Sequence, residues 1–184
     1  MLQVLPQLLG TGLKNTLVIS AAATAIGVII GMILAVMGVS TSRWLRIPAR
    51  IYTDVFRGLP AILTILLIGQ GCARFSQDLF GPSPYPLGIL ALSLIASAYI
   101  GEIFRAGIQS VDKGQTEACR ALGMSYGKAM RLVVIPQGIR RVLPALVNQF
   151  IAIIKDSSLV YFLGLLVSER ELFRVGQDAA VHDL

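Results

Sequence analysis

The sequence predicts an all-α integral membrane protein with four transmembrane helices, and three observations carry that prediction. Of its 184 residues, 55% are hydrophobic and only 14% are charged, with a mean hydropathy of +0.74. A soluble domain carries about 25% charged residues. The apolar residues gather in four runs, at about 16–39, 57–75, 87–110 and 142–166, each close to the roughly 20 residues a helix needs to cross a bilayer. Between the third and fourth runs lies one polar, basic stretch, residues 111–141.

The same composition excludes other classes. A formal charge of +6 and a pI near 9.7 suit the basic loops of a membrane protein, and the apolar content argues against a nucleic-acid partner. Cys72 and Cys119 form no CxxC pair and have no neighbouring histidine, so neither a disulfide nor a metal site is expected. His182, the only histidine, reads as a solvated terminal residue. Met1 is followed by a weakly apolar segment without a basic region, so no secretory leader is expected.

The first run contains 23 uncharged residues, 17–39. Ala23, Gly27, Gly31 and Ala35 recur every four residues along it, a small-residue stripe that lets a second helix approach closely. A basic stretch with Arg43, Arg46, Arg50 and Arg57 follows. The second run begins with Pro60 in its first turn, where a missing N–H does little harm. Pro82, Pro84 and Pro86 mark a loop before the third run. Glu102 and Arg105 come late in that run, three residues apart and so on one helix face. The fourth run is interrupted by Pro144, Asn148, Gln149 and the sequence Lys155, Asp156, Ser157, Ser158. A polar tail, 168–184, ends the chain.

Basic residues orient these spans. Ten Lys/Arg lie in the two loops after the first and third runs (Arg43, Arg46, Arg50, Arg57; Lys113, Arg120, Lys128, Arg131, Arg140, Arg141), against Lys14, Arg74, Arg170 and Arg174 on the other side. The positive-inside rule then places both basic loops in the cytoplasm and the N-terminus outside.

The polar stretch is itself structured. Thr116 is a candidate N-cap, with Glu117 in the first turn. Gly123 suits the left-handed position that ends a helix. Ser125 caps a second helix from Tyr126 to about Val134, and Pro136 is expected to break it. Ala118, Ala121, Leu122, Met124 and Met130 need something to pack on, which points to a docking surface for a cytoplasmic partner.

This stretch resembles a family signature, Glu-Ala-Ala-x3-Gly-x9-Ile-x-Leu-Pro, of the membrane subunits of bacterial ATP-binding-cassette importers. Here it reads Glu117, Ala118, Cys119, Gly123, Val133, Ile135 and Pro136. The segments VFRGLPAIL (55–63), YIGEIFRAGIQSVDKGQTEA (99–118) and LPALVNQFIAIIKDSSLV (143–160) resemble the polar amino-acid branch, the histidine, glutamine, glutamate and arginine permeases. The resemblance covers about 12–172.

It implies a type I importer permease in the bacterial plasma membrane. The implied partners are a second permease subunit, a cytoplasmic ATPase and an extracytoplasmic amino-acid-binding protein. The resemblance assigns ATPase coupling to Glu117, Ala118, Cys119, Gly123, Ile135 and Pro136. No GxxxxGK[ST] loop is present, so ATP and Mg are expected on the partner and no cofactor on this chain. No nucleophile–base constellation suggests an enzyme. The family branch usually has five spans, and this chain stops at Leu184 without a fifth apolar run, which reads as a missing last helix.

Intramembrane ionisable groups mark function or pairing. Glu102, Arg105, Lys155 and Asp156 could bind a zwitterionic amino acid across a cavity or pair between helices, with Asn148, Gln149, Ser157 and Ser158 as hydrogen-bonding groups in either role. Other readings are a permease for methionine, phosphonate or another small solute, and a truncated, non-transporting scaffold. A channel would need a charge ring or filter loop, and none is visible.

Overall fold

A computed structural model describes residues 6 and 8–182 of the chain, the side chain of His182 excepted. The described residues form helices joined by short turns. A π turn, Leu8–Gly12, leads into α1, Leu13–Val39. Then come α2, Arg43–Gly58; α3, Ala61–Gly71; α4, Ala73–Phe80; and α5, Tyr85–Gln109. The polar stretch holds α6, Lys113–Ala121, and α7, Tyr126–Ala129, which continues through a π turn into α8, Ile135–Asp156. A 3-10 segment, Ser157–Leu163, a 3-10 turn, Val167–Glu169, and α9, Leu172–His182, end the described part of the chain.

Three helices are long and apolar enough to cross a membrane: Leu8–Val39, Tyr85–Gln109 and Tyr126–Leu163. A fourth crossing needs the pair α2 and α3, bent by 105°. The second run, expected as one span over 57–75, falls on the end of α2, on α3 and on the start of α4. Leu59 is extended, with ψ of 140°, because a residue before proline is driven out of the helical region. Pro60 precedes α3 as its cap instead of lying in its first turn. The basic stretch expected as a loop is α2, an amphipathic helix.

The core forms where α1 packs on α5. Ala23, Gly27, Gly31 and Ala35 are all buried. A Cβ on Gly27 would lie 2.9 Å from the Ala96 Cβ, and one on Gly31 would lie 2.9 Å from the Gly101 backbone nitrogen. The small-residue stripe thus brings two backbones together, and dispersion between them replaces the hydrophobic drive that lipid cannot supply. Ile19, Leu92, Ile95, Ala96 and Ile100 fill the space around this seam.

The fourth run differs most from expectation. Pro136 does not break the chain. The π turn Met130–Val134 lets the Ile135 N–H reach the Met130 carbonyl, and the helix continues through the proline. Pro136 then occupies a first-turn position of α8, where its missing N–H leaves little unsatisfied. Beyond Asp156 the α-helix tightens to 3-10 geometry, and Gly164, with φ of 74°, ends it.

The tail folds back on the start of α1. Asn15 Nδ2 donates to the carbonyls of Ser168 and Arg170, each at 3.0 Å. The Leu172 N–H donates to Thr16 Oγ1 at 3.0 Å. Glu171 accepts from the N–H groups of Phe173 and Arg174 at 2.6 and 2.8 Å, which satisfies two orphan donors at the start of α9.

Candidate functional site

The polar element is built from two capped helices. Asp112 caps α6: its Oδ1 accepts from the Gly114 N–H at 2.7 Å. The expected cap, Thr116, lies within α6 instead. At the other end Gly123 has φ of 77°. The Met124 N–H bonds the Cys119 carbonyl and the Gly123 N–H bonds the Arg120 carbonyl, both at 3.0 Å. That pair of bonds is the Schellman stop, which needs a left-handed residue and favours glycine. Ser125 Oγ then accepts from the Lys128 N–H and caps α7, as expected.

These caps turn α6 through a sharp corner and present its residues. Cys119 is buried, whereas Glu117, Ala118 and Ala121 are exposed and Leu122 is 82% exposed. Ile135 is half-buried at the start of α8, and Pro136 beside it is exposed. The element therefore shows a small apolar patch next to one carboxylate, on a short stiff helix.

The patch is joined tightly to two long helices. Gly107 of α5 and Gly138 of α8 meet backbone to backbone: a Cβ on Gly107 would lie 2.6 Å from the Gly138 carbonyl oxygen. Arg141 donates to the carbonyl of Ser110, and Gln137 Nε2 donates to Gln115 Oε1 at 3.2 Å. The polar element is thereby tied to the ends of α5 and α8 by direct contacts.

The intramembrane charges separate into two groups. Arg105 grips Glu102 with two hydrogen bonds, Nε to Oε1 at 2.8 Å and a terminal nitrogen to Oε2 at 2.6 Å. Arg57 of α2 adds a third contact to Glu102 at 3.8 Å and lies over the Tyr99 ring, 5.4 Å from its centroid. The predicted i,i+3 relation is thus a bidentate pair. Arg57 was missed as its partner because α2 was read as a loop, although Ala49 and Thr53, both buried, repeat at helical spacing.

Lys155 and Asp156 do not join that cluster. Val160 packs on Gly88 while Gly138 packs on Gly107, so the antiparallel helices place Asp156 beside about residue 92 of α5. Glu102 lies ten residues further along α5, about 15 Å away at 1.5 Å per residue. Among the described residues neither Lys155 nor Asp156 has an ion partner within 4.0 Å. Ser157 and Ser158 each donate to the carbonyl three residues back, at 2.7 Å. Asn148 is exposed and Gln149 half-buried on α8.

With this geometry in place, comparison with known proteins decides the family. Residues 27–173 match the family described as binding-protein-dependent transport system inner membrane component. The chain belongs to this family. It is an integral membrane permease subunit of a binding-protein-dependent transport system.

Its relatives include the arginine transport system permease protein ArtQ of Bacillus subtilis, 39% identical over 168 residues, or 90% of this chain and 74% of that one. The glutamate/aspartate import permease protein GltK of Escherichia coli O6:H1 is 38% identical over 178 residues, 94% and 79% of the two chains. A crystal structure of an amino acid ABC transporter with histidines superposes with a TM-score of 0.83 at 38% identity, covering 100% of this chain and 81% of that one. The MetNI methionine ABC transporter in an inward-facing conformation gives a TM-score of 0.80 at 19% identity, over 96% and 82%, a likeness of fold alone.

Proposed function

We propose that this permease subunit imports polar amino acids, driven by a separate cytoplasmic ATPase that docks on the patch around Glu117, Ala118, Ala121 and Leu122. The observation that carries the coupling role is the rigid path from that patch to the Gly107–Gly138 crossing. Closure of the ATPase pair would push α6, the Schellman corner at Gly123 would keep α6 from folding into α7, and α5 and α8 would shift together. ATP and Mg would stay with the ATPase. Glu117 would face a basic or polar group of the docking groove.

The amino-acid assignment is supported by relatives named for arginine, glutamate/aspartate and glutamine transport. In this reading the polar element faces the cytoplasm and the tail at Glu171 faces outward, where a binding protein delivers substrate. Asp156 and Lys155, lacking an ion partner among the described residues, would be free for a zwitterion, while Glu102 is already held by Arg105. Uptake of labelled arginine, glutamine, glutamate and histidine by liposomes holding the permease, its ATPase and its binding protein tests this. Uptake of at least one is expected to depend on ATP; uptake of methionine alone would overturn the substrate class.

A further inference from the structure

We propose that α2 is an anionic-lipid-binding helix, entering the bilayer obliquely from the headgroup layer, with its apolar edge in the acyl layer and its arginines on phospholipid headgroups. Three faces of α2 have different chemistry. Ala49 and Thr53 are buried against the bundle. Next to them run Arg46, Arg50 and Arg57, at i, i+4 and i+11. Beyond these lie Trp44, Ile47, Ile51 and Val55, all exposed, with Trp44 at 90% and Ile51 at 58%. A stripe this apolar on a strongly basic helix suits the interface between headgroups and acyl chains, and arginine stems can lie along it while the guanidinium groups reach up.

The arginine edge opens on a matching cavity. About 700 Å³ of space lies between α2, the ends of α1 and α5, and the polar element, and it is lined by Arg46, Arg50, Arg105 and Lys113 with Gln109 and Tyr126. Among the described residues no carboxylate lines it. Glu102 and Asp54 face a smaller neighbouring cavity of about 100 Å³ that shares Arg46, Arg50 and Arg105. Glu102 is bound to Arg105, so Arg46, Arg50 and Lys113 remain as the cations facing the larger space. Such a volume is in the range of ligand sites, and clustered cations beside a membrane helix attract anionic headgroups. The adjoining apolar stripe accounts for the acyl chains, which a free anion would leave without a role. The ends of the membrane-spanning helices α1 and α5 border the same cavity, which places both features beside the ends of the spans.

Trp44 is the only tryptophan of the chain, so its fluorescence reports the position of this face. The full chain is reconstituted in liposomes containing phosphatidylcholine or phosphatidylglycerol, either of them brominated on the acyl chains, at equal mole fractions. Brominated lipid is expected to quench Trp44, and brominated phosphatidylglycerol more strongly than brominated phosphatidylcholine. Arg46→Gln and Arg50→Gln are each expected to lower the anionic preference about five-fold, and Arg74→Gln on α4 to leave it unchanged. Inorganic phosphate added to the phosphatidylglycerol liposomes should not displace the lipid. Absence of quenching would mean that protein or a second copy covers α2. Equal quenching by both lipids, an unchanged preference in the arginine variants, or displacement by phosphate would each overturn the headgroup assignment.

Discussion

Gly107 of α5 and Gly138 of α8 touch backbone to backbone at the base of the polar element, with no room for a methyl group on either: a Cβ on Gly138 would lie 2.9 Å from the Gly107 carbonyl carbon and oxygen. This contact locks two membrane helices together. Gly107→Ala or Gly138→Ala is expected to destabilise the protein by about 1–3 kcal/mol through overpacking. Gly127→Ala, at a helical glycine with nothing within 4 Å, should be neutral or stabilising by up to about 1 kcal/mol. Thermal unfolding in detergent checks both, and equal melting of all three variants would contradict the close contact.

The corner at Gly123 makes a sharper prediction, because its backbone is left-handed while the space around it is open. Gly123→Ala is expected to cost about 1 kcal/mol from conformation alone. Gly123→Asn should cost less, since asparagine tolerates the left-handed region. Comparing melting temperatures of the two variants separates strain from crowding; crowding would make the larger asparagine worse.

Glu102 sits among Arg105, Arg57 and the nearby Arg50. Glu102→Gln removes the acceptor of a bidentate charge-assisted pair and is expected to cost about 1.5–3 kcal/mol. Adding Arg105→Gln should restore part of that loss, because the second change removes an uncompensated cation. A double-mutant cycle on unfolding measures the coupling, and additive effects would show that the pair contributes no mutual stabilisation.

The carboxyl of Glu171 is 1% exposed, and burial pushes its pKa above the ordinary carboxylate value, against the opposing hydrogen bonds from Phe173 and Arg174 and the Arg174 charge. A folded-state value above the unfolded one means that stability from this group is full below the ordinary carboxylate pKa and is lost as pH rises through the raised value. Glu171→Gln should therefore gain in melting temperature relative to the unmodified protein as pH rises from about 4 to 7. A difference that moves the other way would show the hydrogen bonds outweighing burial.

Much of this fold was legible in the sequence because membrane burial writes long uncharged runs. The stripe from Ala23 to Ala35 marked the face of α1 that a second helix packs on, though not that α5 is that helix, and Gly123 and Ser125 located the corner and the second cap. The misreadings share a cause: they fell where one residue has two local solutions. Pro136 breaks a regular α-helix, but the π turn before it carries the chain through. Thr116 is a good cap by type, yet Asp112 starts the helix one turn earlier. Arg57 looked like a loop cation because the periodicity of α2 is masked by its mixed faces. Contacts between distant segments, such as Gly107 with Gly138, leave no mark in local spacing at all.

In the proposed coupling, the helix from Lys113 to Ala121, stopped by Gly123, transmits force from an ATPase to α5 and α8. The most direct measurement is substrate uptake per ATP hydrolysed in liposomes containing the permease, its ATPase and its binding protein. Both Glu117→Lys and Gly123→Asp are expected to keep the permease in the membrane and leave basal hydrolysis running while uptake per ATP collapses. Normal uptake by both variants at the unmodified ratio would contradict force transmission through this helix.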